Sequence, residues 1–355
     1  MLGLVDPDEL GHVMMHEHIG RPTGGDDQPR PVHFREPEDP LGKSYAHKPV
    51  SLENLWWVRY NFRDSLDNLT RAPWPVWETE VQRYAEAGGG TLCEVSAANT
   101  LDLDRLAAIS RATGVHIVAG AGFYHDGSYP SHFDVPGSTV EALAQIMIDA
   151  IVVGDKEGNR CGMLGEIGCS WPLTDNERRV LLAAAIAQRA TGVAMSIHPG
   201  RNDAALAGIR DVLVEGGADL SRVVMGHMDR CGYSLPARRD ILDSGMVIEY
   251  DVFGMEGHYP ADVAFADGAM PDMPNDTGRI KQIGELVSLG YADQLVVGHD
   301  IHMKFQMTSY GGYGYGHFLR TVLPLFEVWE VPVDAVRKLT LDTPHRLLTL
   351  VGRED

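Results

Sequence analysis

The sequence predicts a (β/α)8 barrel, the TIM-barrel arrangement, from three observations. Eight short apolar runs recur along its 355 residues. Helical patterns fall between most of them. Five of the eight runs carry a metal-ligand type of residue at the C-terminal end, where barrels of this class build their sites. The runs span 12–19 (HVMMHEHI), 91–96 (TLCEVS), 115–123 (VHIVAGAGF), 161–169 (CGMLGEIGC), 193–199 (VAMSIHP), 222–229 (RVVMGHMD), 246–253 (MVIEYDVF) and 295–301 (LVVGHDI). Their near-continuous apolar character suits parallel strands buried on both faces.

TEVQRYAEAGGG, LDRLAAISRATG, STVEALAQIMIDAIVVG, NERRVLLAAAIAQRATG and NDAALAGIRDVLVEGG place apolar residues at helical spacing and end in glycine, a common helix stop. LPARRDILDSG and GRIKQIGELVSLG are two further helices, and a helical region follows from about 317 to 350. A doubly wound open sheet is the alternative, but no glycine-rich phosphate loop follows the first strand. Residues from about 20 to 75 break the alternation. This stretch is rich in Pro, Asp and Arg, with WWVRYNF near its end. It is expected to pass over the barrel mouth as a long insertion, with inert packing on the outside as the bland alternative. Its Trp56, Trp57 and Tyr60 are expected to serve packing. Residues 1–355 are expected to form one domain.

Thirty Lys and Arg against 50 Asp and Glu give a formal net charge of −20. That balance argues against nucleic acid and anionic membrane surfaces as partners. Its first meaning is solubility; a preference for neutral or cationic substrates is the second. Cys93, Cys161, Cys169 and Cys231 form no CxxC pair and are expected to be buried, reduced thiols, which points to a cytoplasmic location. No apolar run is long enough to span a membrane, and MLGLVDPDELG lacks the pattern of a secretory leader.

The candidate ligands are His16 and His18 in MMHEHIG, Glu166 in MLGEIGCS, His198 in AMSIHPG, His227 in VVMGHMD and Asp300 in LVVGHDI. Strand side chains alternate, so His16 and His18 share a face and Glu17 points the other way. A buried carboxylate such as Glu166 is costly unless paired or bound to a cation. Six imidazoles and carboxylates exceed one open tetrahedral site but suit two divalent metals sharing a bridge. Glu166 has two oxygens and is the natural bridge. One metal then takes His16, His18, Glu166 and Asp300, and the other takes Glu166, His198 and His227. The ligand types permit zinc, manganese, cobalt or iron.

The chain resembles the phosphotriesterase family of the amidohydrolase superfamily along nearly its whole length. LGLVDPDELGHVMMHEHI, SLENLWWVRYN, GEIG, SIHPG, GHMD, GHDI, YGGYGYGHFL and TPHRLL carry the resemblance. The long loop and YGGYGYGH are most similar to the phosphotriesterase-related or resiniferatoxin-binding branch. The resemblance implies two divalent metals, usually zinc, and a homodimer. The family's phosphotriesterases bridge their metals with a carboxylated lysine; this chain has Glu166 there, a departure shared with the phosphotriesterase homology proteins.

The expected reaction is attack by a bridging hydroxide on a carboxylic ester or lactone of a small-molecule substrate, with Asp300 as proton shuttle. Hydrolysis of an N-acyl amide is the alternative, with phosphotriester hydrolysis as a side activity and a non-catalytic binding protein as a further reading. Asp229 resembles a relay position of the family and is expected on the same strand face as His227. Tyr124 resembles a substrate-contacting tyrosine of lactonase relatives. Arg230 is a candidate partner for a substrate carboxylate, and His302 for contact with substrate or the proton path. His299 is expected to face the helices.

Overall fold

The computed structural model describes residues 2–20, 34–96, 101–129, 133–230, 233–257 and 273–351. Eight strands pair in parallel in sequence order: β1 (His12–Glu17), β2 (Gly89–Glu94), β3 (His116–Ala121), β4 (Met163–Gly168), β5 (Met195–His198), β6 (Val223–Met225), β7 (Val247–Tyr250) and β8 (Leu295–Val297). Each lies within an apolar run or begins just before one. Helices intervene at Trp74–Glu86, Leu103–Thr113, Val140–Val152, Asp175–Thr191, Asp203–Glu215, Leu235–Asp243 and Asp276–Ser288. Six of these start on a side-chain cap, from Asp102, Thr139, Thr174, Asn202, Ser234 and Asn275. Three short helices, Leu323–Val328, Val333–Thr340 and Asp342–Leu348, close the C-terminal region. The architecture is a (β/α)8 barrel.

One local expectation is corrected. The helix expected to open near Thr79 starts at Trp74, because Pro75 falls in the first turn, where no N–H is required. At its other end Gly88, at φ +90°, follows the cap residue Ala87 and stops the helix as expected, while Gly89 and Gly90 already belong to β2.

The barrel interior is filled by Val13, Met15, Cys93, Met163, Val224 and Val296, among others. Strict alternation from Val13 and Met15 would turn His16 and His18 outward. The register of β1 against β2 is irregular between Met14 and Glu17, and that of β4 against β5 between Leu164 and Ile167. Such bulges re-aim side chains beside active sites. Here they bring His16, His18 and Glu166 to the inside and send Glu17 out. Gly165, at φ +113°, makes the turn into Glu166; a Cβ there would lie 2.3 Å from the Ser196 carbonyl oxygen.

The seam between β8 and β1 is held by the Asp300 N–H, which donates to the His16 carbonyl (3.1 Å), and by the Glu17 carboxylate. Glu17 accepts from the N–H groups of His299 (2.9 Å) and Ile301 (3.2 Å) and meets His299 Nδ1 at 2.6 Å. His299 therefore faces the outer layer, as expected. The described part of the insertion packs on the loops after β7 and β8: Trp57, Val58 and Phe62 share a cluster with Val252, Met303 and Phe305. Trp57 is buried, while Trp56 and Tyr60 are about half exposed. Residues 21–33 of the insertion lie outside the described residues. Cys93, Cys161 and Cys169 are buried free thiols; Cys231 also lies outside the described residues. Among the described residues no helix is long and apolar enough to cross a membrane.

Glu17→Ala leaves the buried His299 imidazole and two N–H groups unanswered at the seam. The expected cost is about 3–5 kcal/mol, read as a lowered denaturant midpoint. An unchanged midpoint would remove Glu17 from the seam.

A candidate metal centre at the barrel mouth

The C-terminal strand ends bring all six sequence-predicted ligands together. His16, His18 and Asp300 form one buried group; Glu166, His198 and His227 form another. Glu166 joins them with both oxygens. Its Oε1 lies 3.7 Å from His18 Nε2, and its Oε2 lies 2.8 Å from His198 Nδ1, 3.3 Å from His227 Nε2 and 3.6 Å from His16 Nε2. Asp300 Oδ1 sits 3.0 Å from His18 Nε2. His227 and Asp300 adopt left-handed backbone angles, φ 58° and 50°. Such conformations cost free energy in non-glycine residues and recur at functional sites.

Beneath the ligands lies a layer of supporting groups that the sequence reading missed. The Asp251 carboxylate meets His227 Nδ1 at 2.7 Å and also accepts the His227 backbone N–H at 2.7 Å. Glu249 and Asp251 each stand 3.4 Å from His16 Nδ1. Ser96 Oγ donates to Glu94 and lies 2.8 Å from His18 Nδ1, so the imidazole supplies the proton of that contact. His18 and His227 are thus held by Nδ1, His16 has two carboxylates 3.4 Å from its Nδ1, and all three present Nε2 to the centre, the arrangement that fixes tautomer and ring orientation in metal sites. The signal was available in MVIEYDVF: two carboxylates spaced by two in an apolar strand share its inner face.

The electrostatics fit cations. Burial pushes the Asp251 and Glu249 carboxyls up, and neighbouring carboxylates add to the effect. Against the burial that opposes its charge, His16 is held well above its ordinary value by Asp251, Glu249 and Glu166. Both His16 ring nitrogens are buried without a hydrogen-bond partner. Despite burial, His198, His227 and His16 hold Glu166 well below the carboxylate range. Asp300 is likewise lowered, by His302 and His18. Burial, with Arg230 adding to it, lowers His198 to about 3 and His227 well below its ordinary value. His198 and His227, favoured neutral, facing Glu166 and Asp300, favoured ionised, are donors of the kind that zinc and similar divalent ions take. The residues present fit such a centre.

Above the centre opens a pocket of about 150 Å³. Tyr124 lines it, with its hydroxyl 3.0 Å from His198 Nδ1. Arg230 lines it as well, its Nη2 3.2 Å from His198 Nε2. His302 does so too, its Nδ1 3.4 Å from Asp300 Oδ1. Arg63 and Arg201, which the sequence reading did not single out, also border it. Asp229 lies elsewhere. The left-handed turn at His227 ends the alternation expected to carry it inward. Its carboxylate accepts from the N–H groups of Asp251 and Val252 and from Arg279 Nε (2.7 Å). It bears on the centre by anchoring the segment that holds Asp251.

The chain matches the Phosphotriesterase family over residues 1–348, and it belongs to that family. By membership and by site it is a metal-dependent hydrolase. Among individual proteins, it is 37% identical to N-acetyltaurine hydrolase of Salmo salar, covering 98% of this chain and 97% of that one. A resiniferatoxin-binding protein from Rhodobacter sphaeroides superposes with a TM-score of 0.86 at 28% identity, over 97% of this chain and 92% of that one. A lactonase from Listeria monocytogenes superposes at 0.74 with 21% identity, over 98% and 97%, and attests the fold.

Asp251→Asn keeps the shape but weakens the grip on His16 and His227. Affinity for added zinc is expected to fall about 10–100-fold in a competition titration with a chromophoric chelator. Undiminished affinity would make Asp251 a bystander.

Proposed function

We propose that the chain hydrolyses a small N-acyl amide, holding two divalent cations, in the first instance zinc, between the six ligands. The observation that carries this reading is Glu166, whose two oxygens stand among four imidazoles. The full-length likeness to N-acetyltaurine hydrolase supports an amide over the ester or lactone expected first from the sequence. The same centre suits an ester or lactone, so these stand second, with phosphotriesters as a side activity.

His16, His18, Glu166 and Asp300 would hold one cation, and Glu166, His198 and His227 the other. When bound, such ions supply Lewis acidity toward a carbonyl oxygen and acidify water. Asp300, ionised at the pocket floor, accepts the proton that the attacking water loses. An amide nitrogen leaves only when protonated, and Asp300 Oδ1, with His302 Nδ1 at 3.4 Å, delivers that proton. The acyl half departs as a carboxylate and the other half as an amine. The Tyr124 hydroxyl, over His198, is placed to orient the substrate carbonyl.

Elemental analysis of zinc-loaded protein is expected to find about two equivalents per chain, as a bridged pair requires. Glu166→Ala should lower that number, and removal by chelator should abolish turnover of every substrate. One equivalent in fully active protein would refute the paired centre. Asp300→Asn should retain much of the metal and lower kcat on N-acetyltaurine by about 10²–10⁴-fold; an unaltered kcat would end its role as proton shuttle.

A further inference from the structure

The end of the barrel opposite the metal centre holds a second cavity, of about 580 Å³ against about 150 Å³ for the pocket above the centre. Its depth is lined by Leu10 and Val193, buried just before β1 and β5. Half-buried Ile151 and Leu348 follow, and Leu4 and Val351 form the rim, 84% and 45% exposed. A concave, aliphatic hollow of this size is the usual form of a small-molecule site, and exposed aliphatic groups gathered in one patch mark a surface that something covers.

Most of the polar side chains on its wall are spent. The Thr191 hydroxyl donates to the Ala187 carbonyl and the Thr349 hydroxyl to the His345 carbonyl, each at 2.7 Å. Burial pushes the Cys161 thiol up to about 12, so it stays neutral, and it lies 3.4 Å from the Gly120 carbonyl oxygen. Arg160 differs: among the described residues its guanidinium has no hydrogen-bond or ion-pair partner. The acids beside it in sequence are committed elsewhere. Asp155 accepts from the N–H groups of Glu157 (3.0 Å) and Asn159 (2.8 Å), and Glu157 meets Lys156 Nζ at 3.6 Å. An aliphatic hollow with one uncommitted cation at its edge matches a ligand with an aliphatic body and one anionic head, and a guanidinium fork fits a carboxylate.

We propose that this cavity binds an unbranched aliphatic monocarboxylate, its chain along the aliphatic wall and its carboxylate at Arg160. The site lies away from the metal centre and does not depend on the amide-hydrolase reading. A second copy of this chain is the competing occupant. The depth favours the acid: the hollow runs from the exposed rim in to Leu10 and Val193, which a slender chain fills and a flat facing surface does not.

Calorimetry on the full chain with octanoate, decanoate and dodecanoate, below their micelle concentrations, tests the proposal in zinc-loaded and chelator-treated protein. One acid per chain is expected, with affinity rising roughly fourfold for each added methylene until the hollow is full. Removal of the metal should leave that affinity unchanged, whereas a carboxylate held at the centre would be released. Arg160→Gln should weaken decanoate about two- to fivefold, the worth of an exposed ion pair, and leave decanol unaltered. Leu348→Trp should fill the hollow and weaken acid and alcohol alike. Arg160 is exposed, so its variant remains informative should the change at Leu348 disturb folding. No binding, binding that disappears with the metal, or an equal effect of Arg160→Gln on acid and alcohol would overturn the proposal. So would sedimentation that finds a dimer which Leu4→Ser dissociates and decanoate leaves intact, because the face would then belong to a second copy.

Discussion

A carboxylate buried inside a barrel must be answered by positive charge or by hydrogen-bond donors, and the imidazoles of His16, His18, His198 and His227 stand around Glu166. Three of these imidazoles are backed by Asp251, Glu249 and Ser96, His18 and His227 by hydrogen bonds and His16 by two carboxylates at 3.4 Å. Acidic groups therefore dominate both layers. The divalent ions proposed for the site would restore the balance, and much of the surrounding structure serves to hold this arrangement. The bulges in β1 and β4 aim the ligands inward, Gly165 permits the turn into Glu166, and left-handed His227 and Asp300 bend the chain back over the mouth.

The same charge logic separates the buried acids of this chain. Glu17 and Asp229 lie within two residues of predicted ligands, yet neither joins the centre. Glu17 is taken by His299 and the seam, Asp229 by Arg279 and the segment leading to Asp251. Each has partners that satisfy it without a metal. Asp251 and Glu249 have chiefly His16 and His227 to face, which ties their charge to the site.

Most of the barrel was legible because parallel strands buried on both faces leave apolar runs that few other structures produce. The six ligands were legible because polar ligand-type residues at the ends of such runs are conspicuous. Legibility failed where period-two reasoning was carried too far or not far enough. It was carried past Met225 to Asp229, although the chain turns left-handed at His227. It was not applied to Glu249 and Asp251, whose partners come from β1 and β6 and lie far away in sequence. The outer boundary of the 74–86 helix was hidden by Pro75, a residue that breaks helices in their middle but suits their first turn.

Arg201 and the insertion's share of the pocket mark the other limit of sequence reasoning. Arg230 drew notice beside Asp229, but Arg201, at the same distance beyond His198, gains meaning only once both are seen to border one cavity. Part of the pocket lining comes from a segment whose composition announced only a long loop. Its docking is specific: Lys304 donates to Asp67 at 2.6 Å, the Phe305 N–H donates to Asn68 at 2.9 Å, and Phe62 stacks on Phe305 at 5.9 Å between centroids. Those contacts hold Phe62, Arg63 and Leu69 against the pocket. The eight strands thus determine which chemistry the centre supports, while an excursion of the chain that takes no part in the sheet determines how much room, and how apolar a surface, a substrate meets there.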